Sequence, residues 1–171
     1  MKKLSGFLLL FVFLCCSLSA KETQIIIFST NDMHGSIDNF AKIASYIQKE
    51  RAKNPNILIL SGGDMFSGNP VVDQYPEKGF PMIDLMNRIG YQYEIFGNHE
   101  FDYGMARAKE VMAEADFPYL SSNWVNLPLG NRVLPDVKYF TIGGRVIAFV
   151  GITTPETFTK STPAYFMDKS Q

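Results

Sequence analysis

The chain has 171 residues, long enough for one domain with a substantial core, and its 16 Lys and Arg against 17 Asp and Glu leave a formal net charge of −1. Acids and bases are interspersed, so the sequence offers no basic footprint for nucleic acid and no polybasic arm for a membrane surface. Binding to nucleic acid is therefore not expected.

Residues 1–20 have the order of a secretory signal peptide. Lys2 and Lys3 precede an apolar run over 7–16, and the small residues Ser17, Ser19 and Ala20 lead to Lys21-Glu22. A membrane-spanning helix needs about 20 apolar residues, and this run is about half that, so no stable membrane anchor is expected. The mature chain, 21–171, is expected to be exported, to a periplasmic, cell-surface or extracellular location. Cys15 and Cys16 both fall in the signal, so a cut after Ala20 leaves neither thiol nor disulfide. A lipoprotein signal would keep one cysteine, but the bulky Leu14 suits that processing poorly.

Beyond the signal, elements alternate. The β-branched run at 25–29 suits a strand buried on both faces. Over 37–53 the apolar Phe40, Ile43, Ala44 and Ile47 recur at helical spacing, with Asp38 as the expected N-cap. Asn54-Pro55-Asn56 turns the chain into a strand at 57–60. Residues 64–80 carry no regular signal and read as a surface loop or a crevice rim. A helix over 81–89 stops at Gly90, a strand follows at 94–96, then a helix over about 105–115 and a short strand at 118–121. Two strands, 137–142 and 145–152, flank Gly143-Gly144 as a hairpin. This order predicts an α/β fold with a mostly parallel central sheet, covering helices and an edge hairpin.

Polar clusters follow three of these strands: Asp32-Met33-His34, Gly62-Gly63-Asp64 and Gly97-Asn98-His99-Glu100. The ends of parallel strands converge on one crevice. Both histidines of the chain lie in these clusters, and together with Asp and Asn they supply donors for a divalent metal. If the chain leaves the first strand extended, Asp32 and His34 project to the same side and can bind one ion. Asp64, freed by the preceding glycines, can bridge two ions, and Asn98 can ligate one without adding charge. His99 then faces a phosphoryl oxygen or leaving group, and Asp102, three residues on, can orient its ring. Glu100 reads as structural, bonding to nearby backbone.

In order and placement these clusters resemble the calcineurin-like metallophosphoesterases. The longer strings Ser29-Thr30-Asn31-Asp32-Met33-His34-Gly35, Gly97-Asn98-His99-Glu100-Phe101-Asp102-Tyr103-Gly104 and Ser122-Asn123 are similar to the secreted 5′-nucleotidase and UDP-sugar hydrolase branch. The resemblance implies the front half of a four-layer sandwich and a two-metal phosphoester hydrolase using ions such as Mn²⁺ or Zn²⁺. Asp32 and His34 would hold the first ion, Asp64 would bridge, and Asn98 would hold the second. His99, oriented by Asp102, would act on the leaving group. The expected substrate is a nucleotide or other small phosphoester; a diesterase of the same superfamily and an inert exported binding module are the alternatives.

The family pattern completes its site with further histidines, whereas this chain has two in all. Four donors cannot fill two ions that each take about six ligands. The second site is thus expected to be incomplete, and 21–171 a partial catalytic domain that depends on a second polypeptide or further chain.

Overall fold

The computed structural model describes residues 22–126 and 129–167. The expected signal at 1–20 lies outside them. Four strands, β1 (Ile26–Thr30), β2 (Ile57–Ser61), β3 (Tyr93–Ile95) and β4 (Tyr119–Leu120), form a parallel sheet in sequence order. Crossovers of one hand between successive neighbours place every connecting helix on the same face. These helices are α1 (Phe40–Arg51), α2 (Pro70–Asp73), α3 (Phe80–Ile89) and α4 (Gly104–Glu114).

Strand alternation sorts the side chains into two cores. Ile57 and Ile59 join Phe40, Ile47, Met82, Ile83, Met86 and Val111 beneath the helices. Leu58, Leu60, Tyr93 and Leu120 face the other way and are covered by Phe140, Ile142, Ile147 and Phe149. A small ribbon, β5 (Val125–Asn126) with β6 (Asn131–Arg132), leads to that cover, the antiparallel hairpin β7 (Val137–Ile142) and β8 (Arg145–Val150). The short helix α5 (Thr157–Lys160) follows.

The parallel α/β architecture agrees with the sequence reading, with refinements in detail. The hairpin does not extend the sheet's edge ladder; it is a separate two-stranded sheet stacked on the face. Its base meets the edge, where Ser121 N–H donates to Pro135 O (3.0 Å) and Ser122 N–H to Gly151 O (2.7 Å). The apolar inner side of the hairpin explains this: four large side chains bury more against the sheet's open face than two edge strands could. Its outer side is exposed, with Val146 at 69% and Val150 at 57%.

Asp38 does not cap α1. A tight 3₁₀ turn over Ile37–Asn39 precedes the helix, because the chain arrives through left-handed His34 and Gly35, so Asp38 sits inside the turn. The 64–80 segment, without regular signal in the sequence, contains α2. Asn69 caps it, its side-chain oxygen accepting from Val71 N–H (2.9 Å), with Pro70 at the first helical position. Gly90 ends α3 as expected: it is left-handed, and Met86 O accepts from both Gly90 and Tyr91 N–H.

Candidate metal centre and histidine dyad

Past the ends of β1 and β2 the chain continues side by side. Asp32 N–H donates to Gly63 O (3.1 Å), His34 N–H to Asp64 O (3.2 Å) and Gly35 N–H to Met65 O (2.9 Å). Asp32, His34, Asp64 and Ser67 have φ of 50°, 46°, 55° and 59°, and are the non-glycine residues with positive φ among those described. Each such residue costs on the order of 1 kcal/mol, and such strain gathers where function requires a fixed geometry. The first cluster is therefore not the extended segment the sequence suggested. The left-handed backbone still brings Asp32 Oδ1 within 3.8 Å of His34 Nε2.

The roles of the two His34 nitrogens follow from their neighbours. Nδ1 lies 3.2 Å from Ser67 O, and a carbonyl only accepts, so Nδ1 carries the proton. Nε2, 3.8 Å from Asp32 Oδ1, is the nitrogen left to bind a metal. The His99 ring, from the end of β3, stands edge-on to His34 with centroids 4.7 Å apart. His99 Nδ1 donates to Asp102 Oδ2 at 2.8 Å. Partial burial pulls the His99 pKa down, but the hydrogen bond and charge of Asp102, with the charges of Asp64 and Glu100, outweigh it and raise the pKa above its ordinary value.

Behind the crevice the β2 and β3 loops touch backbone to backbone. A Cβ on Gly63 would meet Ile95 O at 2.6 Å and Gly97 N at 2.9 Å. A Cβ on Gly97 would overlap Asp64 Oδ1, and would stand 2.5 Å from Glu100 Oε2. That approach lets buried Glu100 accept from Asp64 N–H (3.1 Å) and Met65 N–H (2.9 Å), while Asp64 Oδ1 accepts from His99 N–H (2.8 Å). Burial, with the Asp64 charge, pushes Glu100 up to about 7 against the pull of its backbone donors. Asn98 is buried; its backbone carbonyl accepts from Ser161 Oγ (2.5 Å) and its side-chain Nδ2 lies at the edge of hydrogen-bond range of the same atom (3.4 Å). Asn123 clasps the Thr153 backbone at both N–H (2.9 Å) and O (2.7 Å), and Thr153 Oγ1 donates to Phe96 O (2.6 Å).

Asp32, His34, Asp64, Asn98, His99 and Asp102 thus border one crevice at the C-terminal ends of β1, β2 and β3. Two donors about 2.1 Å from one ion at octahedral or tetrahedral angles lie about 3.0–3.4 Å apart, so the Asp32–His34 pair, at 3.8 Å, closes by a few tenths of an ångström to share a cation. Asp64 and Asn98 are turned instead to His99 N–H and Ser161. Among the described residues no three His, Cys, Asp or Glu side chains form a metal cluster. Sequence reasoning missed Ser67, Tyr103, Asp73 and Ser161, which hold the named residues. Of these, only the α2 cap at Asn69-Pro70 left a readable local signal, one that orders the loop carrying Asp73.

Residues 26–166 match the family of calcineurin-like phosphoesterases. The chain belongs to that family. It is 30% identical over 168 residues to a 5′-nucleotidase of Rattus norvegicus, covering 85% of this chain and 29% of that protein. It is 33% identical over 159 residues to Protein UshA of Salmonella pullorum, covering 86% and 28%. Among solved structures it superposes on the 5′-nucleotidase precursor of Thermus thermophilus with a TM-score of 0.70 and 27% identity, over 80% of this chain and 30% of that one. The chain therefore spans under a third of these relatives' length, the part that holds the parallel sheet and its crevice.

Proposed function

We propose that this member of the phosphoesterase family forms the first-metal and histidine-dyad portion of a two-metal 5′-nucleotidase acting on nucleotides. The observation that carries the reading is the meeting of His34, its bare Nε2 beside Asp32, with the His99–Asp102 pair at 4.7 Å in a crevice of strained residues. One imidazole is prepared to bind an ion and the other to handle a proton.

Asp32 and His34 would hold the first ion, Asp64 would bridge to a second, and Asn98 would hold that second ion, Asp64 and Asn98 using the oxygens not engaged by His99 N–H and Ser161. Divalent ions in such a site polarise the phosphoryl group and make bound water a nucleophile near neutral pH. His99 Nδ1–H stays on Asp102, so Nε2 is the atom that donates a proton to the leaving alkoxide oxygen. Asp102 keeps the ring in that orientation. Two ions of about six ligands each need more donors than this segment contributes, so further chain or a second polypeptide supplies the remainder.

Titration calorimetry with Mn²⁺ and Zn²⁺ tests the assignment. Binding heat is expected from the wild-type chain, with affinity reduced at least about tenfold in Asp32→Asn and Asp64→Asn, as loss of a ligand implies. Equal binding by wild type and both variants would overturn the reading.

A further inference from the structure

Ser67 lies in the 64–80 loop, and the assignments above use only its carbonyl, at His34. Three of its groups contact three different parts of the site. Its carbonyl accepts from His34 Nδ1 (3.2 Å). Its hydroxyl donates to Asp102 Oδ2 (2.6 Å), the same oxygen that takes the His99 proton. Its N–H donates to the Tyr103 hydroxyl (3.1 Å), which donates in turn to Asp73 Oδ1 (2.5 Å). The other Asp73 oxygen accepts from Gly68 N–H (3.0 Å), so the first turn of α2 braces the loop from behind. Ser67 holds this position at φ 59°, a conformation that costs a non-glycine residue energy.

A surface loop has no reason to keep a strained serine whose three polar groups all have protein partners inside the crevice. A glycine would take the same backbone without strain, but it could not supply the hydroxyl. We infer that Ser67 is a positioning residue for both imidazoles: its carbonyl fixes the His34 tautomer, and its hydroxyl pins the Asp102 carboxylate so that Oδ2 stays on His99 Nδ1. This rests on the dyad reading above and extends it to a residue outside the three strand-end clusters.

The two roles are separable because they use different atoms. Ser67→Ala and Ser67→Gly both delete the hydroxyl and keep the carbonyl, and the glycine variant also relieves the backbone strain, which protects folding. The readout is ¹⁵N NMR of the ring nitrogens in the full chain, chelator-treated, at a pH where both imidazoles are neutral. The chain has two histidines, so each reports alone. Wild type should show the Nδ1–H form at both. In each variant the ratio of Nδ1–H to Nε2–H at His99 should fall by roughly fivefold, the effect of one ordinary hydrogen bond, while His34 is unchanged.

A variant whose His99 signal stays at wild type, or moves toward more Nδ1–H, overturns the inference. Equal changes at both histidines would also overturn it, showing loop collapse rather than loss of a pin. Asp102→Asn separates this failure from failure of the dyad. If Asp102→Asn leaves His99 unmoved, the dyad itself is wrong; if it shifts His99 where the Ser67 variants do not, only the role of Ser67 fails.

Discussion

Gly97 shows how a single missing methyl lets this crevice exist. A Cβ there would overlap Asp64 Oδ1 and crowd Glu100 Oε2, the two groups that tie the β2 loop to the β3 loop. Gly97→Ala is expected to lower stability by about 1–3 kcal/mol through overpacking, read as a reduced urea midpoint at unchanged slope, and to weaken Mn²⁺ binding. A variant as stable as wild type would show that the loops have slack. Glu94 makes a second residue-scale prediction. It is fully buried, and neither its carboxylate oxygens nor the Tyr119 hydroxyl has a hydrogen-bond partner among the described residues. Burial first, then the charge of Glu100, raises its pKa well above the ordinary value. The folded chain therefore keeps the proton that the unfolded chain releases above about pH 4.5. Stability should fall with rising pH from there up to the folded pKa, by about 1.4 kcal/mol per unit for this proton, and Glu100, pushed up to about 7, adds a second loss of the same sign below that pH. The raised pKa of His99 adds loss of the same sign above about 6.5. Glu94→Gln should flatten this slope and be more stable than wild type at pH 8 in urea titrations; a variant with the wild-type slope would contradict it.

At the scale of elements, β2 was visible in the sequence, because a short run of isoleucine and leucine between turn signals suits a strand buried on both faces, though not which side chains face which core. So were α3 and its Gly90 stop. The stacking of the hairpin on the sheet face was not visible, because Gly143-Gly144 specifies a tight turn and says nothing about what the strands cover. The order of the 64–80 loop was also hidden. Its structure comes from the tertiary bonds of Ser67 and Asp73, which leave no period in the sequence, and the Asn69-Pro70 start of α2 went unread there. The packing of the hairpin gives a direct test. Phe149 packs tilted against Tyr93 (ring centroids 5.2 Å apart) and edge-on against Phe140 (5.6 Å), in one cluster with Leu58 and Leu60. Since it is only partly buried, Phe149→Ala is expected to cost about 2–3 kcal/mol, below the range for a fully buried Phe. Urea unfolding should register that loss; a change under about 0.5 kcal/mol would mean the hairpin does not hold the sheet's second face.

For the whole molecule, the strand-end clusters made the candidate site legible, because polar residues after successive parallel strands have one place to meet. Left-handed Asp32 and His34 were not legible, since Asp and His, though enriched at positive φ, adopt it only in a small minority of positions. Nor was the bond from Ser161 to Asn98, which joins positions 63 residues apart. By the function proposed above, this segment contributes a first-metal pair and a proton-handling dyad to a hydrolase whose other ligands come from elsewhere. The most direct measurement is phosphate release from a nucleoside monophosphate with Mn²⁺. It should be made on the chain alone, and on the chain mixed with the remaining portion of the Salmonella UshA relative. Losing a second ion removes several kcal/mol of transition-state stabilisation, so the chain alone is expected to run at least about a thousandfold below ordinary enzyme rates. The mixture should recover hydrolysis, and His99→Ala and Asn98→Ala in this chain should abolish the recovery. Ordinary turnover by the chain alone, or recovered turnover indifferent to His99→Ala, would contradict the account.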